Sequence, residues 1–432
     1  MSPATRFDAI VIGAGSAGFA AARTAGAAGL NVAVVENARA LGGLCILRGC
    51  MPTKTLLQSG EVRHLALRAS TWGILVPRAD VDWPGILRRK DGLVREWAGH
   101  RGQQLNEGPF SLVRSSARFV DPTRVALGDG RILSADRFVL ATGSVVSRPP
   151  LPDLEAVGYL TSDDALGLER LPGSLTVLGG GPVALELAQL FARLDVAVTV
   201  VQRSEHVLRG FDADAARVLE GALRREGVRV FTSTRLVGAA AGAGVKTVRF
   251  EHQGRVESVG SEEILLALGR DPATAGLGLD NAGVRTEKGR VIADEEQRTS
   301  ARHVFAAGDC CGPHDLVHLA VRQGEIAGHN LALPDRPRRM DYRFLVRVVF
   351  TDPQVAAVGL TETEARAAGR DYVAASYPFA EHGKSVILGA TDGFVKLLAD
   401  PGTGEILGGS VVGPLGGELI HEIVAAMHGR MT

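Results

Sequence analysis

Phe7-Asp8-Ala9-Ile10-Val11-Ile12 runs directly into Gly13-Ala14-Gly15-Ser16-Ala17-Gly18. The first six residues read as a buried strand, and the glycines as the tight turn that ends it. An Ala-rich stretch, 19–28, has helical composition. Val32-Ala33-Val34-Val35-Glu36 then reads as a second buried strand ending in an acid. GxGxxG alone is a weak signal. Between a strand and a helix, with an acid 18 residues past the last glycine, it is a strong one for a dinucleotide. Gly13, Gly15, Ser16, Ala17 and Gly18 let the backbone close on a pyrophosphate at a helix N-terminus. Glu36 accepts from a ribose hydroxyl.

The pattern returns 166 residues later. Leu175-Thr176-Val177-Leu178 leads into Gly179-Gly180-Gly181-Pro182-Val183-Ala184, with Ala184 in place of the third glycine. A helix over 185–194 and a strand over 196–201 follow. Each half closes on a similar strand and turn, Val139-Leu140-Ala141-Thr142-Gly143 in the first and Leu265-Leu266-Ala267-Leu268-Gly269-Arg270 in the second. Two nucleotide sites in one chain suggest electron transfer between them. The second site lacks the acid, since its strand ends Val200-Val201-Gln202-Arg203, with Arg209 shortly after. A ribose 2′-phosphate is then not repelled, and Arg203 and Arg209 can pair with it, which favours NADPH over NADH.

Composition narrows the rest. In 432 residues, 48 basic side chains balance 48 acidic ones, so no general attraction to nucleic acid or anionic membrane is expected. No apolar run reaches the roughly 18 residues of a membrane helix, and the first is too short for a signal-peptide core. The expected location is the cytoplasm. Residues 53–68 and 86–105 read as helices, and 110–133 as short strands and turns. Pro149-Pro150-Leu151-Pro152 and Leu333-Pro334-Asp335-Arg336-Pro337 read as linkers, the second leading into a domain of strands and one helix.

Four cysteines are too few for a secreted disulfide scaffold. Cys45 and Cys50 lie in Gly42-Gly43-Leu44-Cys45-Ile46-Leu47-Arg48-Gly49-Cys50-Met51-Pro52-Thr53-Lys54. A regular helix would set them about 140° apart, beyond bridging distance, so a bridge needs a distorted turn. Gly49 and Pro52 permit one. Such a bridge beside a helix N-terminus is reducible, and the helix dipole favours a thiolate. No zinc-type ligand spacing accompanies the pair, and no metal is expected. Cys310 and Cys311, adjacent and after a Gly-Asp turn, read as structural.

GAGSAG with Glu36, GGLCILRGCMPTK, LATGS, GGGPVALELA, LALGRDP, FAAGDCCG and VVFTDPQVAAVG occur in the order seen in one family. Over nearly its whole length the chain resembles the class I pyridine nucleotide–disulfide oxidoreductases, among them lipoamide dehydrogenase, glutathione reductase and mercuric reductase. The resemblance implies an α/β fold with two Rossmann-like three-layer domains and a C-terminal α+β dimerisation domain. The implied division is 1–148 and 271–335 for FAD, 149–270 for NAD(P)H and 336–432 for the homodimer interface. It implies that Gly43, Ala117, Thr142, Gly143 and Asp309 join the Gly13–Gly18 turn and Glu36 in holding FAD. Gly179, Gly181, Arg203, Arg209 and Gly269 would hold NADPH. Cys50 would lie next to the flavin, Cys45 would attack the substrate, Lys54 would sit near flavin N5, and Glu186 would pair with Lys54. Electrons would pass from NADPH through FAD to the Cys45–Cys50 disulfide and on to a disulfide or thiol-reactive small molecule.

Two departures follow from the resemblance. Pro182 stands where many members place a gating tyrosine. Most members also continue into His-Pro-x-x-x-Glu, whereas this chain stops at Thr432. His421 and His428 fall at positions that are surface residues in the family. The 336–432 segment is therefore expected to be truncated, and flavin reduction to survive better than disulfide turnover. The alternatives are a mercuric reductase-like metal-ion reductase, a non-catalytic flavoprotein and an NADPH oxidase.

Overall fold

The strand Thr5–Ile12 lies inside a seven-stranded sheet because its second half, Ala9 to Ile12, is apolar and buried on both faces. Val32–Glu36 and Ile132–Leu140 flank it in parallel, with Ile10 opposite Ala33 on one side and Phe138 on the other. The computed structural model describes residues 4–148 and 151–432. The chain divides into two compact units, each built from three segments.

The first unit comprises the chain up to Pro52, Asp91–Ser147 and Arg270–Asp341. Its sheet runs Ser111–Arg114, Val32–Glu36, Thr5–Ile12, Ile132–Leu140, Arg124–Leu127, Ala117–Asp121. The long strand Ile132–Leu140 serves two neighbours on one side. Its beginning pairs antiparallel with Arg124–Leu127, and its end pairs parallel with Val304–Ala306. One face is covered by helix Ser16–Ala27, whose alanines let helix Val317–Ala332 come close. A Cβ on Gly324 or Gly328 would run into the carbonyls of Ala17 or Ala21, so glycine sets that approach. Ser144–Val146 and Arg270–Pro272 pair where the chain leaves and re-enters this unit. Pro149 and Pro150 of the expected linker lie outside the described residues.

The second unit comprises Thr53–Lys90, Arg148–Gly269 and Tyr342–Thr432. It holds a parallel four-stranded sheet, Arg229–Phe231, Ala197–Val201, Ser174–Leu178, Glu263–Leu266, and an antiparallel meander over 235–261. Leu56 and Trp83 share a core with Leu190, Phe191 and Val355, so the segment Thr53–Lys90 packs with this unit. A five-stranded antiparallel sheet follows, Val346–Val349, Gln354–Gly359, Ile406–Gly413, Phe394–Ala399, Val373–Pro378, with helix Gly416–His428 on it. One helix was expected after Pro337. The described residues there form three α-helices, and the additional two, Glu362–Ala367 and Gly383–Ile387, are too short to show a helical period in the sequence.

Lys396 ties this sheet to the nucleotide-type half of the same unit. Its buried ammonium donates to Asp214 at 2.7 Å, Asp212 at 2.9 Å and Glu362 at 3.0 Å. Asp212 is the N-cap position of helix Ala213–Arg225 and also accepts from the amides of Glu362 and Thr363. Burial works against the charge on Lys396, but the carboxylates outweigh it and raise its pKa. Burial likewise opposes ionisation of Asp212 and Glu362, yet the hydrogen bonds from Lys396 hold both carboxyls below their ordinary values.

Candidate active site and nucleotide sites

In the first unit the Gly13–Gly18 turn, Glu36, Thr142, Gly143 and Asp309 lie at or just past the carboxyl ends of the parallel strands Thr5–Ile12, Val32–Glu36, Ile132–Leu140 and Val304–Ala306, where ligands of such sheets bind. A Cβ on Gly13 (φ +102°) would collide with the Ala141 carbonyl, and one on Gly18 with the Gly13 carbonyl. The turn is thus closed on itself ahead of helix Ser16–Ala27. Around Gly15 a side chain would meet nothing, so that edge is open to a ligand. Glu36 accepts from the amides of Ala14 and Ala38, each at 2.8 Å, which fixes the acid beside the turn. Thr142 Oγ1 is buried without a hydrogen-bond partner, and Gly143 follows in the left-handed region at φ +72°. Ser144 donates to Asp309 at 2.6 Å and accepts from Arg270 at 2.8 Å. The amide of Gly308 is held at 2.8 Å by the buried Gln323, which the sequence reading missed for want of a motif. Ala117 opens its strand opposite Leu127, at the edge of the sheet. An open glycine cradle, a placed acid and an orphaned buried hydroxyl together fit an adenine dinucleotide.

The cysteine segment lies against that cradle. A Cβ on Gly43 (φ +68°) would come within 2.7 Å of Gly15 Cα. Cys45 sits in the short helix Gly43–Leu47, and Cys50 is the first residue of helix Cys50–Leu67. Between them Arg48 leaves the helical region at φ −146° and the chain doubles back. A Cβ on Gly49 would stand 3.0 Å from the Leu44 carbonyl oxygen and 3.3 Å from Cys45 Cα, so a side chain there would crowd the fold-back and glycine favours it. Both cysteines are half-buried. Cys50 lies at the positive end of an 18-residue helix, which favours a thiolate. Lys54 is four residues on, and so on the same helix face.

Arg101 is a second residue without a sequence signal. Its guanidinium lies 4.2 Å from the Phe19 ring, and its Nη1 is buried with no partner. Burial lowers its pKa, and the charge of Cys45 acts in the opposite sense, which puts the two within electrostatic reach. Cys310 is fully buried and donates to the carbonyls of Leu140 and Ala307, each at 3.4 Å, while Cys311 donates to Gly308 at 3.3 Å. These thiols brace the Asp309 turn.

In the second unit Lys54 Nζ meets Glu186 Oε2 at 2.7 Å, with the Glu186 side chain only 3% exposed and that of Lys54 35%. The other oxygen of Glu186 accepts from the Phe350 amide at 3.0 Å, and the Phe350 ring lies 4.7 Å from Lys54 Nζ. Phe350 carried no sequence prediction, because contact with a residue 164 positions away in the chain leaves no local pattern.

The second glycine turn repeats the first. A Cβ on Gly179 (φ +116°) would collide with the Ala267 carbonyl, while Gly181 faces open space. Gly269 is also left-handed, at φ +122°. Gln202 is nearly buried and packs on Gly180, whose Cβ would lie 3.0 Å from its Cγ. Arg203 and Arg209 are exposed. Arg203 borders a cavity of about 320 Å³ lined also by Ser233, Thr234, Arg235 and His252.

Residues 7–324 match the pyridine nucleotide-disulphide oxidoreductase family, and residues 345–432 match its dimerisation domain. The chain belongs to that family. Over 428 residues it is 32% identical to a mercuric reductase of Staphylococcus aureus, covering 99% of this chain and 78% of that one. It is 33% identical to a dihydrolipoyl dehydrogenase of Bacillus subtilis (strain 168), covering 98% and 92%. The fold is similar to the HOCl-induced flavoprotein disulfide reductase RclA from Escherichia coli, with a TM-score of 0.86 at 26% identity over 98% of this chain and 94% of that one. RclA is also known as a Cu(II) complex, matched at a TM-score of 0.87 and 27% identity over 99% and 94%. As a pyridine nucleotide-disulphide oxidoreductase the protein is an oxidoreductase of the FAD and nicotinamide-nucleotide type, with the α/β architecture expected from its sequence. No helix among the described residues is long and apolar enough to cross a membrane.

Proposed function

We propose that this protein is a cytoplasmic homodimer that takes electrons from NADPH and delivers them, by way of FAD and the Cys45–Cys50 pair, to a small disulfide or other thiol-reactive substrate. The observation that carries the reading is the contact of Gly43 with Gly15, which sets the cysteine-bearing turn on the dinucleotide cradle. FAD, when bound, supplies the conversion of a nicotinamide hydride into an electron pair for sulfur. The chain's residues do the rest. The Gly13–Gly18 turn and Glu36 hold pyrophosphate and ribose, Thr142 offers its hydroxyl, and Asp309, steadied by Ser144, holds the polyol chain. Lys54 presents positive charge, and Glu186 keeps that charge aimed.

Reduction of the Cys45–Cys50 disulfide takes two electrons and two protons and leaves two thiols. Cys45, as thiolate, attacks one sulfur of a substrate disulfide, and the other sulfur leaves as a thiol after taking a proton. Cys50 then attacks Cys45, closes the protein disulfide and releases the second thiol. NADPH is favoured over NADH because Gln202 brings no negative charge to the end of its strand, and the exposed Arg203 and Arg209 that follow it offer cationic donors to a 2′-phosphate. The dimerisation domain at 345–432 supports assembly as two copies.

Likeness to the mercuric reductase and to a Cu(II)-bound RclA favours a second reading, in which the dithiol takes a thiophilic metal ion as substrate. Anaerobic titration of the FAD-loaded protein with NADPH tests the main reading. A long-wavelength thiolate-to-flavin absorbance and two additional titratable thiols are expected. Bleaching of the flavin with neither would point to transfer to oxygen and overturn it. Turnover with Hg(II) or Cu(II) but with no low-molecular-weight disulfide would move the second reading ahead.

A further inference from the structure

Helix Pro182–Arg193 presents Glu186, Gln189 and Arg193 along one stripe, spaced three and four residues apart. All three are buried. All three grip the same short piece of chain, residues 350–352, just past strand Val346–Val349. Glu186 accepts from the Phe350 amide at 3.0 Å. The Gln189 side chain acts as a missing strand neighbour, accepting from the Asp352 amide and donating to the Asp352 carbonyl, each at 2.7 Å. Arg193 donates to the Asp352 carboxylate at 2.7 Å.

The same stripe meets helix Cys50–Leu67 at Lys54–Glu186 and at Glu61–Arg193. Glu226 braces the far end, accepting from Arg193 at 2.7 and 2.8 Å and from Gln189 at 3.0 Å. Burial opposes the charge on Arg193, but its carboxylates outweigh this and raise its pKa. His64, Glu226 and Asp352 bring three metal-type ligand atoms within 4.8 Å of one another. Arg193 Nη2 bridges the two carboxylates and is the cation about which the cluster is built.

We propose that Gln189 and Arg193 are positioning residues for the Lys54–Glu186 pair, acting through the 350–352 turn. Phe350 touches both members of the pair, its amide on Glu186 and its ring over Lys54. Lys54 is a long, partly exposed side chain that one carboxylate oxygen does not confine. The second Glu186 oxygen and the ring together fix the Nζ position, and both depend on a turn whose backbone groups Gln189 satisfies. The acid of the pair is therefore held by the segment that begins the dimerisation domain.

The inference rests on the role proposed above for Lys54, and the experiment separates the two. Anaerobic flavin reduction by NADPH is timed by stopped flow in the FAD-loaded wild type, Lys54→Met, Gln189→Ala and the double variant. Lys54→Met is expected to slow reduction at least about tenfold, and Gln189→Ala about fivefold. The double variant should stay within about twofold of Lys54→Met, because the second change acts only through the first. The flavin midpoint potential should shift in the same direction in both single variants. Exchange of the 350–352 amides in the protein without nucleotide should quicken in Gln189→Ala.

A wild-type rate in Lys54→Met overturns the role of Lys54 and this inference with it. A slow Lys54→Met beside a wild-type rate in Gln189→Ala overturns the inference alone. So does a Gln189→Ala effect of equal size with and without Lys54, which is what a merely structural role produces. If Gln189→Ala does not fold, Phe350→Leu carries the test, since that side chain is 41% exposed and its amide is kept. It should slow reduction about two- to fivefold, the range of an exposed cation–π contact, and only when Lys54 is present. An equal effect in the Lys54→Met background overturns the inference.

Discussion

Replacing Lys396 by methionine removes the single cation shared by Asp212, Asp214 and Glu362. The Lys396 side chain is 4% exposed, so its charge is compensated by those carboxylates and by little water. Deleting one partner of a buried pair costs about 3–5 kcal/mol, mostly through the charges left behind. Asp214 is 35% exposed and Glu362 22%, so water takes up part of the debt and the low end, about 3 kcal/mol, applies. At roughly 2–4 °C per kcal/mol for a unit of this size, the melting midpoint should fall by about 6–12 °C at pH 7.

The pH dependence has a definite sign. Asp212 and Glu362 are depressed in the folded wild type, so their contribution is present above the ordinary carboxyl range and is lost as pH falls through their folded values. Lys396 is raised, so its contribution persists until pH climbs past its ordinary value. Wild-type stability from this cluster is therefore flat between about pH 5 and 9. In Lys396→Met the carboxylates repel one another without the cation that held Asp212 and Glu362 ionised, and mild acid relieves that repulsion. Scanning calorimetry at pH 7 and pH 5 reads this directly. Arg235→Gln, which breaks the exposed pair with Glu251, is the control and should cost under about 1 kcal/mol. A Lys396→Met deficit no larger than that control, or one equal at both pH values, would refute the argument.

Four other outcomes are expected. Gln202→Glu places a carboxylate beside the ribose, and the ratio of kcat/KM for NADPH to that for NADH should fall at least about thirtyfold, a change of about 2 kcal/mol from a screened charge–charge contact. Arg101→Met removes a cation near Cys45, so the pH at which iodoacetamide begins to alkylate Cys45 should move upward, and no movement would mean that Arg101 does not face the thiolate. Thr142→Val swaps an unpartnered buried hydroxyl for a methyl of similar size. Apoprotein stability should be unchanged or slightly higher, while FAD affinity by fluorescence titration drops about fivefold or more, the cost of one lost hydrogen bond. Cys45→Ser and Cys50→Ser should each abolish disulfide turnover, and only Cys50→Ser should remove the long-wavelength absorbance.

Where local sequence dictates local structure, the chain could be read directly. The glycine turns at 13–18 and 179–184 are strand, turn and helix in one contiguous stretch, and where a side chain would stand Gly13, Gly18 and Gly179 have a backbone carbonyl, Gly15 and Gly181 an open edge, and Gly180 the Gln202 side chain. The Lys54–Glu186 contact was named only through family resemblance, since 132 residues separate the two. Nothing local announces Gln323 holding Gly308, Gln189 bridging Asp352 or Phe350 lying over Lys54. These are single polar or aromatic residues whose meaning is a partner distant in sequence. The helices at 362–367 and 383–387 escaped for a different reason, being shorter than two turns.

The uninterrupted helix from Cys50 to Leu67 constrains how this chain can vary over descent. Inserting one residue between Cys50 and Lys54 would turn the lysine by about 100° and advance it about 1.5 Å relative to the sulfur. No adjustment of neighbouring loops could undo that rotation. Gain or loss of residues is therefore forbidden within this one turn. The irregular stretch 73–82, by contrast, can lengthen or shorten without altering the offset between thiol and ammonium. A length change at 50–54 in a related chain would mark the loss of this chemistry even with every cysteine and lysine retained.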